Sequence, residues 1–229
     1  MTIQIDRYIS DAEIEACATR ILQKYGRQRK PIMAPPIPIE EIIDLTVDIP
    51  IIPERIPDYQ GSPVLAKLVV KGHPHPNVEI IVNEDKQPFF HQHEGVEQYS
   101  LAHELGHYVL HIDRGSLNTL LLPDAKEQSV VLCRMNSLEE RDRNTKRREL
   151  QAERFAAYIL MPQDLMREAC ADMDLYHWPN LYRLKEQFHV TITALTNRLK
   201  ELHLVTVTPD GKLVPYQDKL ATQMHSLWE

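Results

Sequence analysis

The sequence predicts an α+β chain in which helices surround a small antiparallel sheet. Three observations predict it. Apolar residues recur at helical spacing early in the chain and again after Glu149. Between these segments lie three short β-rich runs with prolines at their boundaries. A mid-chain stretch holding Leu101, Ala102, Leu105, Val109 and Leu110 has the character of a buried helix, yet it also carries histidines.

Ser10-Asp-Ala-Glu13 reads as a capping box. Ile14, Cys17, Ala18, Ile21, Leu22 and Tyr25 follow on one face, and Gly26 closes the segment, so an amphipathic helix is expected over residues 11–25. Residues 31–38 contain four prolines, a stiff connector that no helix crosses. A short helix is expected over 39–45. The first β-run, 47–52, ends at Pro53. The runs 65–71 and 78–82 flank a Gly-His-Pro-His-Pro-Asn loop and read as an antiparallel pair. Prolines at these boundaries suit a sheet with edges rather than a closed barrel. The chain is polar from Asn83 to Glu97, where the next helix is expected to begin. Residues 112–138 are loop-like, and 139–148 mix charges of both signs, as a solvated helix face or a linker does. From Glu149 the amphipathic pattern returns with Leu150, Ala152, Phe155, Ala156, Ile159 and Leu160, and Pro162 stops it. Segments 181–188 and 191–202, broken at His189-Val190, resemble a helix-turn-helix. Residues 204–207 and 212–214 would then form a wing-like hairpin about Pro209-Asp-Gly211.

With 229 residues, 43% of them apolar, the chain can bury a full core, and wholesale disorder is not expected. A net charge of -7 argues against a general nucleic-acid binder. Cys17, Cys133 and Cys170 are odd in number, far apart and without a CxxC pair, which suits a reducing cytosol. The first thirty residues lack the apolar run of a signal peptide, and no apolar stretch reaches the roughly 18 residues of a membrane span. The expectation is a soluble, cytoplasmic protein without a membrane partner.

His103-Glu104-Leu105-Gly106-His107 is an HExxH pentapeptide in helical context. Histidines four residues apart project from one helix face about a turn apart, so both rings reach the same ion. Neutral imidazole suits zinc, and a catalytic site takes three protein ligands. Glu104 lies beside the water position, where it can act as general base while water attacks a carbonyl. A third ligand is needed. His111 shares the face, but two turns from His103 it cannot close around the same ion. A carboxylate from the second helix suits better. Glu149 opens that segment, and Ala152 on its face lets two helices approach. Glu153, Glu139 and Glu140 compete for the role. Glu153 is also placed to hydrogen-bond a ligand histidine from outside the ligand set. A site of two histidines and one carboxylate accepts Mn2+ as well as Zn2+.

Other residues invite weaker readings. His73, His75, His91 and His93 form x-His-x-His pairs, more simply polar loop residues than a second metal site. Cys133 lies between the two ligand segments and would be an inhibitory thiolate, but it has no partner motif. Tyr99, Tyr158 and His177 are candidates for stabilising an oxyanion.

Three blocks together resemble the ImmA/IrrE metallopeptidases. They are Pro38-Ile-Glu-Glu-Ile-Ile43, the segment from Ser100 to His111, and Glu149-Leu-Gln-Ala-Glu-Arg-Phe-Ala-Ala-Tyr-Ile-Leu-Met-Pro162. The last is far more specific than HExxH alone, and the resemblance spans roughly residues 36–205. It implies a zincin-like α+β fold with a small antiparallel sheet packed on the active-site helices. It also favours one zinc ion held by His103, His107 and Glu149. The organisation expected is an N-terminal helix (1–30), a zincin-like metallopeptidase domain (31–165), and a helix-turn-helix-like C-terminal subdomain with a tail (166–229). Family members cleave XRE-type helix-turn-helix repressors, switching on DNA-damage responses or mobile elements, and others accompany toxin–antitoxin or phage modules. This chain departs from the family pattern at Glu153, often Asn or Asp, and at Glu97-Gln98-Tyr99-Ser100, often an Arg and Phe-Thr. The stretch between His107 and Glu149 is also longer than usual. Residues 163–203 hold five Lys/Arg against six Asp/Glu, whereas a DNA-reading module is basic. The C-terminal part is therefore expected to dock a protein substrate or to buttress the peptidase, not to bind DNA. The competing expectation is a DNA-binding or partner-sequestering regulator of toxin–antitoxin type, with a structural metal site.

Overall fold

A computed structural model describes residues 7–59, 61–71, 77–93, 95–113, 130–131 (backbone only) and 143–216. The capping box forms. Ser10 N–H donates to Glu13 Oε2 at 2.8 Å, and Glu13 N–H donates back to Ser10 Oγ at 3.4 Å, satisfying donors that the helix itself leaves open. Helix α1 (Asp11–Gln28) runs on through Gly26, where the sequence suggested a stop. Gly26 is not among the left-handed residues, so it does not act as a C-cap, and Arg29 N–H closes the helix on the Tyr25 carbonyl. After the proline connector, α2 (Ile39–Glu41) widens into a π-helix over Ile42–Val47 that ends at Asp48, φ 64°. This helical stretch absorbs the first residue of the β-run expected over 47–52.

The first strand therefore starts late. Strands β1 (Ile51–Glu54), β2 (Ala66–Lys71), β3 (Asn77–Asn83) and β4 (Val130–Val131) form one sheet in the order β1-β3-β2-β4. The pair β2–β3 is antiparallel as expected, with Leu68 opposite Ile80, and β4 pairs antiparallel to β2. The expectation of a wholly antiparallel sheet fails at β1, which lies parallel to β3 with Ile51 opposite Ile80. The chain leaves β1 by a long connection, enters β2 antiparallel to β3, and returns along β3 in the direction of β1. Pro53 lies inside β1, not beyond it, because an edge strand tolerates a residue without an N–H.

Both sheet faces are covered. Leu68, Val70, Ile80 and Val82 join the main core, while Val69 and Ile81 pack on the other face with Ile56, Val64 and Tyr59. That is why β2 and β3 read as near-continuous apolar runs instead of alternating ones.

Between β3 and the metal-motif helix, where the sequence looked merely polar, a 3-10 turn (Glu84–Lys86) leads into α3 (Gln87–Gln92), too short for a periodic signal. Helix α4 (Val96–His111) follows. Helix α5 (Arg143–Leu160) begins in the charged stretch, so Glu149 lies within the helix and does not open it. Helix α6 (Gln163–Cys170) was not anticipated. Helices α7 (Trp178–Phe188) and α8 (Ile192–Glu201) flank the break at His189, and β5 (Val205–Val207) pairs antiparallel with β6 (Leu213–Pro215). Helix α4 packs on α5 and on β2, and α1 packs on the same α5. One apolar cluster reaches from Ile9 to Val205. No helix among the described residues is long and apolar enough to cross a membrane.

Candidate metal centre

Gly95 caps α4 in a left-handed conformation, φ 83°, with Val190 so near that a Cβ at residue 95 would lie 2.6 Å from its Cα. Two turns further on, His103 and His107 meet edge to face on the buried side of α4, with ring centroids 4.7 Å apart. What brings a carboxylate to them is Gly106. A Cβ there would lie 3.1 Å from the Ala152 backbone and 3.2 Å from Phe155 Cβ, so its absence, with the small Ala152 opposite, lets α5 close onto α4. Glu149, one turn before Ala152 on α5, then faces both rings.

His103 Nε2 lies 3.0 Å from His107 Nε2 and 3.4 Å from Glu149 Oε2, and His107 Nε2 lies 3.8 Å from Glu149 Oε1. Among the described residues, these three form the group of donors able to hold a metal ion, all within 4.8 Å of one another. Ligands about 2.0–2.1 Å from a tetrahedral zinc ion stand about 3.4 Å apart, and the three measured separations bracket that value. The donor set therefore fits a small divalent cation. All three side chains are buried. Burial by itself would lower the basicity of His103, but the Glu149 hydrogen bond and the charges of Glu104, Glu149 and Glu153 outweigh it and raise the imidazole above its ordinary value.

Glu104, 2% exposed, points from the same helix toward the sheet. Burial pushes its carboxyl up to about 7. The charge of Glu149 adds to that, while His103 and a hydrogen bond from the Leu68 N–H of β2 oppose it. Its Oε2 is buried with no hydrogen-bond partner among the described residues. A carboxylate so placed can take or give a proton near neutral pH.

Two residues that sequence reasoning did not assign to the site adjoin it. His111 Nδ1 lies 3.1 Å from His107 Nδ1, and His111 Nε2 lies 3.0 Å from Gln151 Oε1. Both are buried. The signal available was the histidine repeat at four-residue steps, here used for a chain of ring contacts and not for ligation. Burial lowers His111 to about 4, which keeps it neutral.

The remaining candidates fall elsewhere. The Glu153 side chain is exposed and its oxygens are not among the converging donors, although its charge reaches His103. Its backbone carbonyl accepts from the Tyr99 hydroxyl at 3.1 Å. Tyr158 lies under the Arg198 guanidinium, 4.3 Å from its ring centroid, and His177 contacts Asp174 at 2.8 Å. His91 and His93 are exposed at the end of α3, and the His93 ring lies against Phe89. Glu139, Glu140, His73, His75 and Cys133 lie outside the described residues.

A family model described as Peptidase_M78, the IrrE N-terminal-like domain, matches residues 80–200, which takes in α4, α5 and every converging side chain. No curated protein matches the chain.

Proposed function

The chain belongs to the M78 peptidase family through its IrrE N-terminal-like domain, and from that premise we propose that it is a zinc-dependent, cytoplasmic endopeptidase that cleaves a protein regulator, a helix-turn-helix repressor of the XRE type. The observation that carries the reading is the convergence of His103, His107 and Glu149 beside the buried Glu104, whose Oε2 has no hydrogen-bond partner among the described residues.

His103, His107 and Glu149 would hold one zinc ion. When bound, it supplies Lewis acidity toward a carbonyl oxygen and lowers the pKa of water from 15.7 to about 7. Glu104 accepts the proton as water attacks the scissile carbonyl and returns it to the leaving amine. Leu68 N–H steadies the Glu104 carboxylate, so strand β2 positions the base. Among the described residues three donors converge, the number that a catalytic zinc site takes from its protein.

The substrate reading is supported by the resemblance and by charge. Residues 163–203, which take in α6, α7 and α8, hold six Asp/Glu against five Lys/Arg, and this lack of a basic excess disfavours DNA and suits a helix-turn-helix-like subdomain that docks a protein. The test is proteomics of new chain termini in a host lysate, comparing the zinc-loaded protein with Glu104→Gln. One or a few termini confined to a helix-turn-helix regulator, and absent with the variant, are expected. Scattered termini in many proteins would replace the reading with a degradative peptidase, and identical profiles would overturn it.

A further inference from the structure

His107 turns one ring nitrogen toward His103 and Glu149 and the other away from them. The second nitrogen, Nδ1, begins a chain of contacts. It lies 3.1 Å from His111 Nδ1, His111 Nε2 lies 3.0 Å from Gln151 Oε1, and Gln151 Nε2 donates to the carbonyls of Ile9 at 3.3 Å and Arg7 at 3.5 Å. With neutral rings, one assignment of protons serves every link. Backbone carbonyls only accept, so Gln151 gives them its amide hydrogens and turns its oxygen to His111. His111 Nε2 must then donate, which leaves His111 Nδ1 an acceptor. The proton between the two rings belongs to His107 Nδ1, and His107 Nε2 keeps its lone pair on the side of His103 and Glu149. That tautomer is the one that ligates a cation.

We infer that His111 and Gln151 are positioning residues of the metal centre, fixing the tautomer and ring orientation of His107 and tying that ligand to residues 7–9 ahead of α1. The inference rests on reading His103, His107 and Glu149 as a metal site. Gln151 stands two residues after Glu149, so α5 supplies both a metal-facing carboxylate and the outer support of a ligand on α4. Partners of this kind, one step removed from the metal, change affinity without touching it.

The test measures zinc affinity by competition with a chelating dye, for wild type, His111→Leu, Gln151→Leu and His111→Asn. Leucine keeps apolar bulk and removes the acceptor, and about 10–100-fold weaker binding is expected for His111→Leu. Gln151→Leu should weaken binding several-fold. Asparagine places Oδ1 near the position of the ring Nδ1, where it can accept from His107, so His111→Asn should recover most of the loss. A role limited to packing predicts the reverse order, since leucine fills the space better than asparagine. Wild-type affinity in either leucine variant, or binding in His111→Asn as weak as in His111→Leu, overturns the inference. Should His111→Leu fail to fold, Gln151→Leu and His111→Asn decide the matter. Wild type that takes up no stoichiometric zinc overturns the metallopeptidase reading itself, and this inference with it. Tight wild-type binding with unaffected variants overturns the inference alone.

Discussion

Glu104 and Glu149 are both buried carboxylates close to His103, and their partners separate their roles. Glu149 faces two imidazole nitrogens, so a cation shared with them relieves the cost of burying its charge. Glu104 takes the Leu68 N–H, has one oxygen without a partner among the described residues, and is driven by burial toward the neutral form. Substituting each by glutamine should therefore split binding from turnover. Glu104→Gln keeps the shape and the donor set, so zinc content after dialysis stays at the wild-type level while the rate falls at least 100-fold, the lower range for losing a general base. Glu149→Gln removes the charged donor, so zinc content falls and activity falls with it. Metal analysis beside a peptide-cleavage assay checks both. Loss of zinc from Glu104→Gln would show the wrong residue in the role of base.

At the scale of elements, the decisive contact is between α4 and α5, where Gly106 meets Ala152. Alanine is the better helix former by about 1 kcal/mol, so propensity alone favours Gly106→Ala. Packing opposes it, because the new Cβ would sit 3.1 Å from the Ala152 backbone, and overfilling such a contact costs about 1–3 kcal/mol. Backbone cannot rotate aside, so packing should win. The expected result is a lower melting temperature and weaker zinc binding together, since the same displacement parts Glu149 from the two histidines. Thermal unfolding and a zinc titration of Gly106→Ala check it, and a stabilised variant would contradict it.

Across the whole molecule, Arg198 joins elements far apart in sequence. It is 2% exposed, its Nη2 contacts Glu15 of α1 at 2.5 Å, its Nε donates to the Met161 carbonyl after α5 at 3.1 Å, and its guanidinium lies over Tyr158. Removing one partner of a buried ion pair costs about 3–5 kcal/mol, and the lower end applies because Glu15 is about a third exposed and can return to water. Arg198→Ala should lose about 3 kcal/mol, which at this chain length lowers the melting temperature by about 6–12 °C. Because one apolar cluster spans α1 to β5, wild type should melt in one transition. Scanning calorimetry of both proteins checks this, and an early separate transition in wild type would contradict it.

The sequence by itself determined whatever depends on near neighbours. The capping box, the paired runs that became β2 and β3, the histidines a turn apart on α4 and the alanine of the Glu149 helix are all local signals, written in spacing and residue type. It also pointed to Glu149, because a second helix with a small residue on its face was the simplest source of a carboxylate. Only the tertiary structure decided what depends on distant partners. A strand's direction follows from the path of its connection, so the parallel setting of β1 was not visible in its own residues. Histidines at four-residue steps look alike along a helix. The HExxH spacing already marked His103 and His107 as the ligand pair, but that the third ring meets Gln151 depends on how far α5 closes over α4, and Gly106 and Ala152 set that distance. Nothing in the sequence singles out Arg198, and it becomes a buried tie only because α1, α5 and α8 meet around it.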